Sequence, residues 1–142
     1  MKATNLLFLL CAGALLAGTA RAAEPKTLDE RLQWWRDSRF GMFIHWGPVS
    51  LKGTEIGWSR GAQVPVAEYD QLYTKFNPAK FDADAWVAAA KQAGMKYIVL
   101  TTKHHDGFCL WDTKLTDHNI MNSPFRRDVV GDLHAACRNQ AI

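Results

Sequence analysis

Two apolar runs of strand length, Arg39 to His45 and Tyr97 to Thr102, stand well apart in the chain with helix-forming sequence between them. No other feature constrains the fold as much. Runs this short, and apolar at successive positions, suit strands covered on both faces in a parallel sheet. A parallel pair needs a crossover of a dozen or more residues, which the intervening helical segments supply. Strands separated by helices imply right-handed βαβ units, so the predicted class is α/β.

The helices carry their own punctuation. Thr27 and Glu30 are at capping-box spacing and predict a helix from about Leu28 to Asp37, on which Trp34 and Trp35 are expected to pack against the strand that follows. Gly47-Pro48 and Gly53 break the chain after the first strand into a loop holding Glu55, Gly57, Trp58 and Arg60. Helical segments follow at about Val66 to Phe76 and about Ala83 to Ala93. The second has Asp82 as N-cap, Trp86, Ala89, Ala90 and Ala93 on one face, and Gly94 just past its end. Arg126-Arg127-Asp128 reads as a loop-to-helix transition into a last helix with Val130, Leu133 and Cys137 on one face.

Residues 1–22 are expected to be a cleaved signal peptide rather than part of the fold. Lys2 is a positive start, Leu6 to Ala17 an apolar core, and Ala20-Arg21-Ala22 a small-residue cleavage site. The apolar run is shorter than the roughly 20 residues a spanning helix needs, so export to the periplasm or exterior is expected, with no membrane attachment after cleavage. Residues 23–142 then form one domain. The 17 basic and 14 acidic residues become nearly balanced once Lys2 and Arg21 are removed, which gives no case for a nucleic-acid partner. Cys109 and Cys137 lie far apart in sequence and are expected to be free thiols.

Three histidines, His45, His104 and His105, fall at or just past the C-terminal ends of the two predicted strands. In parallel α/β folds that edge is where ligands bind. With Trp46, Trp58, Phe108 and Trp111 nearby, they are expected to form a pocket of converging polar groups and aromatic walls. A metal site is disfavoured, because adjacent residues such as His104 and His105 diverge on a strand whereas alternate residues share a face. Neutral imidazoles both donate and accept hydrogen bonds, and indole faces suit the apolar side of a pyranose, which together favour a sugar. Glu55 is a candidate ligand contact on the loop over the site. Glu68 is expected on a solvated helix face, and Asp106-Gly107 as a turn. A hydrolase, a non-catalytic sugar-binding protein and a metal-dependent hydrolase all fit these residues.

The segments Arg39-Phe40-Gly41-Met42-Phe43-Ile44-His45-Trp46-Gly47, Phe76-Asn77-Pro78-Ala79-Lys80-Phe81-Asp82, Ala93-Gly94-Met95-Lys96-Tyr97 and Thr101 to Trp111 occur in this order and continue in Arg127 to Leu133. Together they resemble the amino-terminal part of family 29 glycoside hydrolases, the α-L-fucosidases. The resemblance implies a partial (β/α)8 TIM-like barrel holding the first two βα units only, and a parent enzyme that hydrolyses terminal α-L-fucose with retention of configuration. It implies a fucosylated glycan as substrate and no cofactor or metal. His45, His104 and His105 would bond fucose hydroxyls, with Glu55 and Trp58 as the loop's counterparts of a glutamate and tryptophan in the family's sugar pocket.

A retaining mechanism needs two carboxyl groups about 5 to 5.5 Å apart across the glycosidic bond. The resemblance places both beyond Ile142, so no catalytic residue is assigned here. A full barrel of this kind takes about 250 residues. The chain is accordingly read as the front end of a fucosidase, expected to hold part of the sugar subsite and to be inactive alone.

Overall fold

The computed structural model describes residues 26–142. The expected signal peptide therefore lies outside the described residues. The order is helix α1 (Leu28–Ser38), strand β1 (Met42–Ile44), helix α2 (Val66–Tyr69), helix α3 (Ala83–Gln92), strand β2 (Ile98–Leu100) and helix α4 (Val129–Gln140), with 3-10 turns at Pro48–Leu51, Leu72–Lys75 and Ile120–Asn122.

The two strands pair in parallel, Met42 opposite Ile98, Phe43 opposite Val99 and Ile44 opposite Leu100. Flanking bonds from Met42 N–H to Tyr97 C=O at 2.9 Å and from Thr101 N–H to Ile44 C=O at 3.0 Å extend the contact at both ends. The regular strands are shorter than the apolar runs, and only one of their faces is covered. Phe43 remains 66% and Val99 44% exposed, whereas Ile44, Ile98 and Leu100 pack onto the core. The expectation of burial on both faces is corrected accordingly: among the described residues, helices back the sheet from one side.

Helices α3 and α4 supply that backing. Asp82 caps α3 by accepting from Ala85 N–H at 3.0 Å, and Gly94, at φ +79, ends it as Met95 N–H reaches back to Ala90 C=O at 2.9 Å. The buried face is Ala83, Val87 and Ala90; of the predicted Trp86, Ala89, Ala90 and Ala93, Ala90 is buried and the other three are not. Trp86 instead lies beside the core, its ring edge-on to Phe81 at 4.9 Å. Helix α4 buries Val129, Leu133 and Ala136; Leu133 is as predicted, while Val130 and Cys137 are only partly buried at the edge of the same face. Val129 N–H bonds to Leu110 C=O at 3.1 Å and draws that residue inward, while Asp128 caps Gly131 N–H at 2.8 Å.

Two further predictions need correction. The capping box between Thr27 and Glu30 forms, but α1 buries no residue, and Trp34 and Trp35 stay 59% and 58% exposed because no described element covers their side. The helix expected from Val66 to Phe76 breaks after Tyr69. Asp70 is gripped by Arg60 through two bonds of 2.6 and 2.7 Å, Tyr69 turns inward, and the chain resumes as the 3-10 turn Leu72–Lys75.

A second apolar cluster, Val49, Ile56, Val64, Tyr69 and Leu72, lies beneath the loop after β1 and gives it a floor. Cys109 and Cys137 are free, as expected. No helix among the described residues is long and apolar enough to cross a membrane.

Candidate functional site

The parallel register delivers the histidines to one edge. His45 directly follows Ile44, whose strand partner Leu100 leads through Thr101, Thr102 and Lys103 to His104. Leu110 N–H bonds to Thr102 C=O at 3.0 Å and folds the following loop back on the strand end. His104 to Gly107 forms a tight turn closed by Gly107 N–H to His104 C=O at 3.0 Å, with His105 and Asp106 at its centre. The ring centroids of His45 and His104 stand 4.6 Å apart, and those of His104 and His105 also 4.6 Å. The structure thus brings His45 together with His104 and His105, which follow it by some sixty residues in the sequence.

The loop after β1 reaches the same place. Ser59, buried to 1% exposure, donates its hydroxyl to Glu55 C=O at 2.6 Å, and Trp58 N–H bonds to Ile56 C=O at 2.9 Å in a turn centred on Gly57. Trp58 is thereby swung edge-on to His105 at 5.3 Å between ring centroids. Glu55 projects from the start of this turn with an exposed side chain, and its charge is felt at His104.

Of the predicted pocket walls, Trp58 stands beside the histidines, whereas Trp46 and Phe108 do not line an open pocket. Trp46 packs against Phe76, Phe81 and Trp86 in the core, and Phe108 is buried beside Phe76 and Tyr73, so both serve the core beneath the histidines. The described residues make an open platform: His45, His105, Glu55 and Trp58 are exposed and His104 half-buried. Among the described residues no group of three or more His, Cys, Asp or Glu is placed to hold a metal ion.

Sequence reasoning missed the residues under the platform. Gly57 N–H donates to Tyr69 Oη at 2.7 Å, and Tyr69 Oη donates to Asp106 Oδ2 at 3.0 Å. Asp106 Oδ1 accepts from Phe108 N–H at 3.2 Å. Asp106 sits in the expected turn, and each of its oxygens accepts one bond of this brace. Tyr69 directly follows Glu68, which is expected on a solvated helix face, and its spacing from the buried Leu72 is the one local signal of an inward side.

Burial and the neighbouring rings of His45 and His105 hold the His104 imidazole below its ordinary value, outweighing the opposite pull of Asp106 and Glu55. Burial likewise pushes the Tyr69 phenol up to about 12, so its hydroxyl keeps its proton. A cluster of three imidazoles with one flanking indole can exchange hydrogen bonds with several hydroxyls of one small polyol.

A family model described as Alpha-L-fucosidase matches residues 18–142. The alpha-L-fucosidase 1 of Arabidopsis thaliana is 36% identical over 121 residues, which cover 83% of this chain and 22% of that protein. The plasma alpha-L-fucosidase of Homo sapiens is 34% identical, over 81% of this chain and 29% of its own. Among solved structures, a GH29 alpha-L-fucosidase from Bacteroides thetaiotaomicron, trapped as a covalent intermediate with 2-fluoro-fucosyl fluoride, superposes with a TM-score of 0.73 at 40% identity, covering 85% of this chain and 30% of that one. An alpha-L-fucosidase from Lactobacillus casei in complex with its alpha-L-fucose product gives 0.73 at 41%, covering 80% and 38%. The chain thus spans less than two fifths of each of these relatives.

Proposed function

Because the chain belongs to the α-L-fucosidase family, we propose that the whole protein hydrolyses terminal α-L-fucose from glycans and that the described residues supply part of its fucose-binding subsite. The observation that carries this reading is the convergence of His45, His104 and His105, with the His104 ring centroid 4.6 Å from each of the other two, at the C-terminal edge of a parallel strand pair. His45, His104 and His105 exchange hydrogen bonds with the sugar hydroxyls, Trp58 offers its indole to the apolar face of the ring, and Glu55 accepts from a hydroxyl at the rim.

The finer architecture belongs to the same proposal. The parallel pair, with α3 in the crossover and α4 after β2, is the start of a (β/α)8 barrel, and the exposed Phe43 and Val99 point to the side that further strands would enclose. Displacement with retention through a glycosyl-enzyme intermediate is supported by the trapped covalent intermediate of the Bacteroides relative. No carboxylate of this chain is proposed as nucleophile or acid/base. Residues 1–22 are proposed to direct export and to be removed.

Calorimetric titration of the whole protein with α-L-fucose tests the subsite, with α-D-mannose as comparison. Saturable binding of fucose, lost in His105→Ala, is the expected result. Equal response to both sugars, or fucose binding untouched by His105→Ala, would contradict it.

A further inference from the structure

Gly57 closes directly on His104. At φ +74 it occupies the left-handed region, and a β-carbon built there would stand 2.6 Å from His104 Nδ1 and 3.0 Å from Cε1. The Cα–H that glycine carries in that direction therefore faces the ring nitrogen. Nδ1 is buried and has no hydrogen-bond partner.

The covering glycine is held from its far side. Its N–H is fixed by Tyr69, whose hydroxyl is fixed by Asp106, and Asp106 lies in the same turn as His104. The hydrogen bonds thus begin on the loop that seals Nδ1 and end on the turn that carries the imidazole. Because Tyr69 is 4% exposed and keeps its proton, its hydroxyl remains the donor to Asp106.

The two neutral forms of His104 differ in what they bury. Protonated at Nδ1, the ring would bury an N–H against a C–H with no acceptor. Protonated at Nε2, it buries only a lone pair, toward which the Gly57 C–H makes a weak favourable contact. The imidazolium would again bury the Nδ1 N–H. His45 and His105 oppose that second proton while Asp106 and Glu55 favour it.

We propose that Tyr69 and Asp106 are positioning residues that pin Gly57 over Nδ1 and hold His104 as the neutral imidazole protonated at Nε2, so that it meets the sugar as a hydrogen-bond donor. The donor role rests on the fucose-binding reading, whereas the protonation state does not. A hydroxyl that accepts from Nε2 keeps its own proton for a second partner, which makes His104 selective for an oxygen with a free lone pair at that position.

Two-bond ¹H–¹⁵N correlation spectra of the whole protein labelled with ¹⁵N-histidine, at about pH 7.5 where free imidazole is neutral, read the protonation state directly. Wild type is expected to show His104 with an unprotonated Nδ1 and a protonated Nε2 at well-separated shifts. In Tyr69→Phe the separation should shrink toward an average and the Gly57 amide should shift. A protonated or averaged Nδ1 in wild type overturns the proposal without recourse to any variant. An unchanged His104 pattern in folded Tyr69→Phe overturns the role of Tyr69. Added α-L-fucose should move the Nε2 signal; if it moves none of the three histidines while the Nε2–H form stands, the positioning is upheld and the fucose reading fails.

Discussion

The rings of His45 and His104 lie 4.6 Å apart although they follow different strands, and the register that sets Ile44 against Leu100 brings the two strand ends together. The register is anchored at its other end where Gly41 lies flat against the Tyr97 ring. A β-carbon on Gly41 would stand 2.5 Å from Cδ2 and Cζ of that ring. Gly41→Ala is therefore expected to force the strands apart at their start, costing about 1–3 kcal/mol as overpacking does. Urea unfolding of the variant against wild type measures it, and an unchanged midpoint would remove Gly41 from this role.

Gly57→Ala should act nearer the site. The added methyl meets both a positive φ and the His104 ring, so the loop must lift or the imidazole must rotate. Turnover of an aryl α-L-fucoside by the whole protein is expected to fall by about tenfold or more, equivalent to roughly 1.4 kcal/mol of lost transition-state binding. Stability should fall by about 1 kcal/mol or more. Wild-type turnover in this variant would mean that the loop is not seated on His104.

Acid should weaken the fold before carboxylates are reached. His104 and His118 are both held below their ordinary value of 6.5, each first by burial, with His118 wedged between Tyr73 and Phe108. The folded protein then binds these protons more weakly than the unfolded chain does, so their full contribution is present above about pH 6.5 and is lost as pH falls toward the folded values. Asp70, lowered by Arg60, adds a loss of the same sign only at more acid pH, below its ordinary 3.8. The urea midpoint is expected to be lower at about pH 5 than at about pH 7.5, with the difference reduced in His118→Gln. A midpoint that rises on acidification would reverse the account.

The parallel pair, the capped helices and the meeting of the three histidines were legible because each rests on local chemistry: apolar runs, Asp and Thr caps, and a strand edge that faces one way. The faces of α3 and α4 were legible in part: Ala90 and Leu133 are buried as helical period predicts, while Val87 and Val129 are chosen by what they meet in space. Trp46 and Phe108 looked like pocket walls beside the histidines, yet their neighbours in space are Phe76, Phe81 and Trp86. The brace from Gly57 through Tyr69 to Asp106 spans three separate segments, and no spacing within any one of them announces it.

The claim that the histidine cluster binds fucose is tested most directly by the kinetics of His104→Ala in the whole protein. With the fold intact by circular dichroism, kcat/KM for an aryl α-L-fucoside should fall at least about tenfold, since a buried hydroxyl loses its donor. An unchanged kcat/KM would contradict the assignment of this edge as the sugar site.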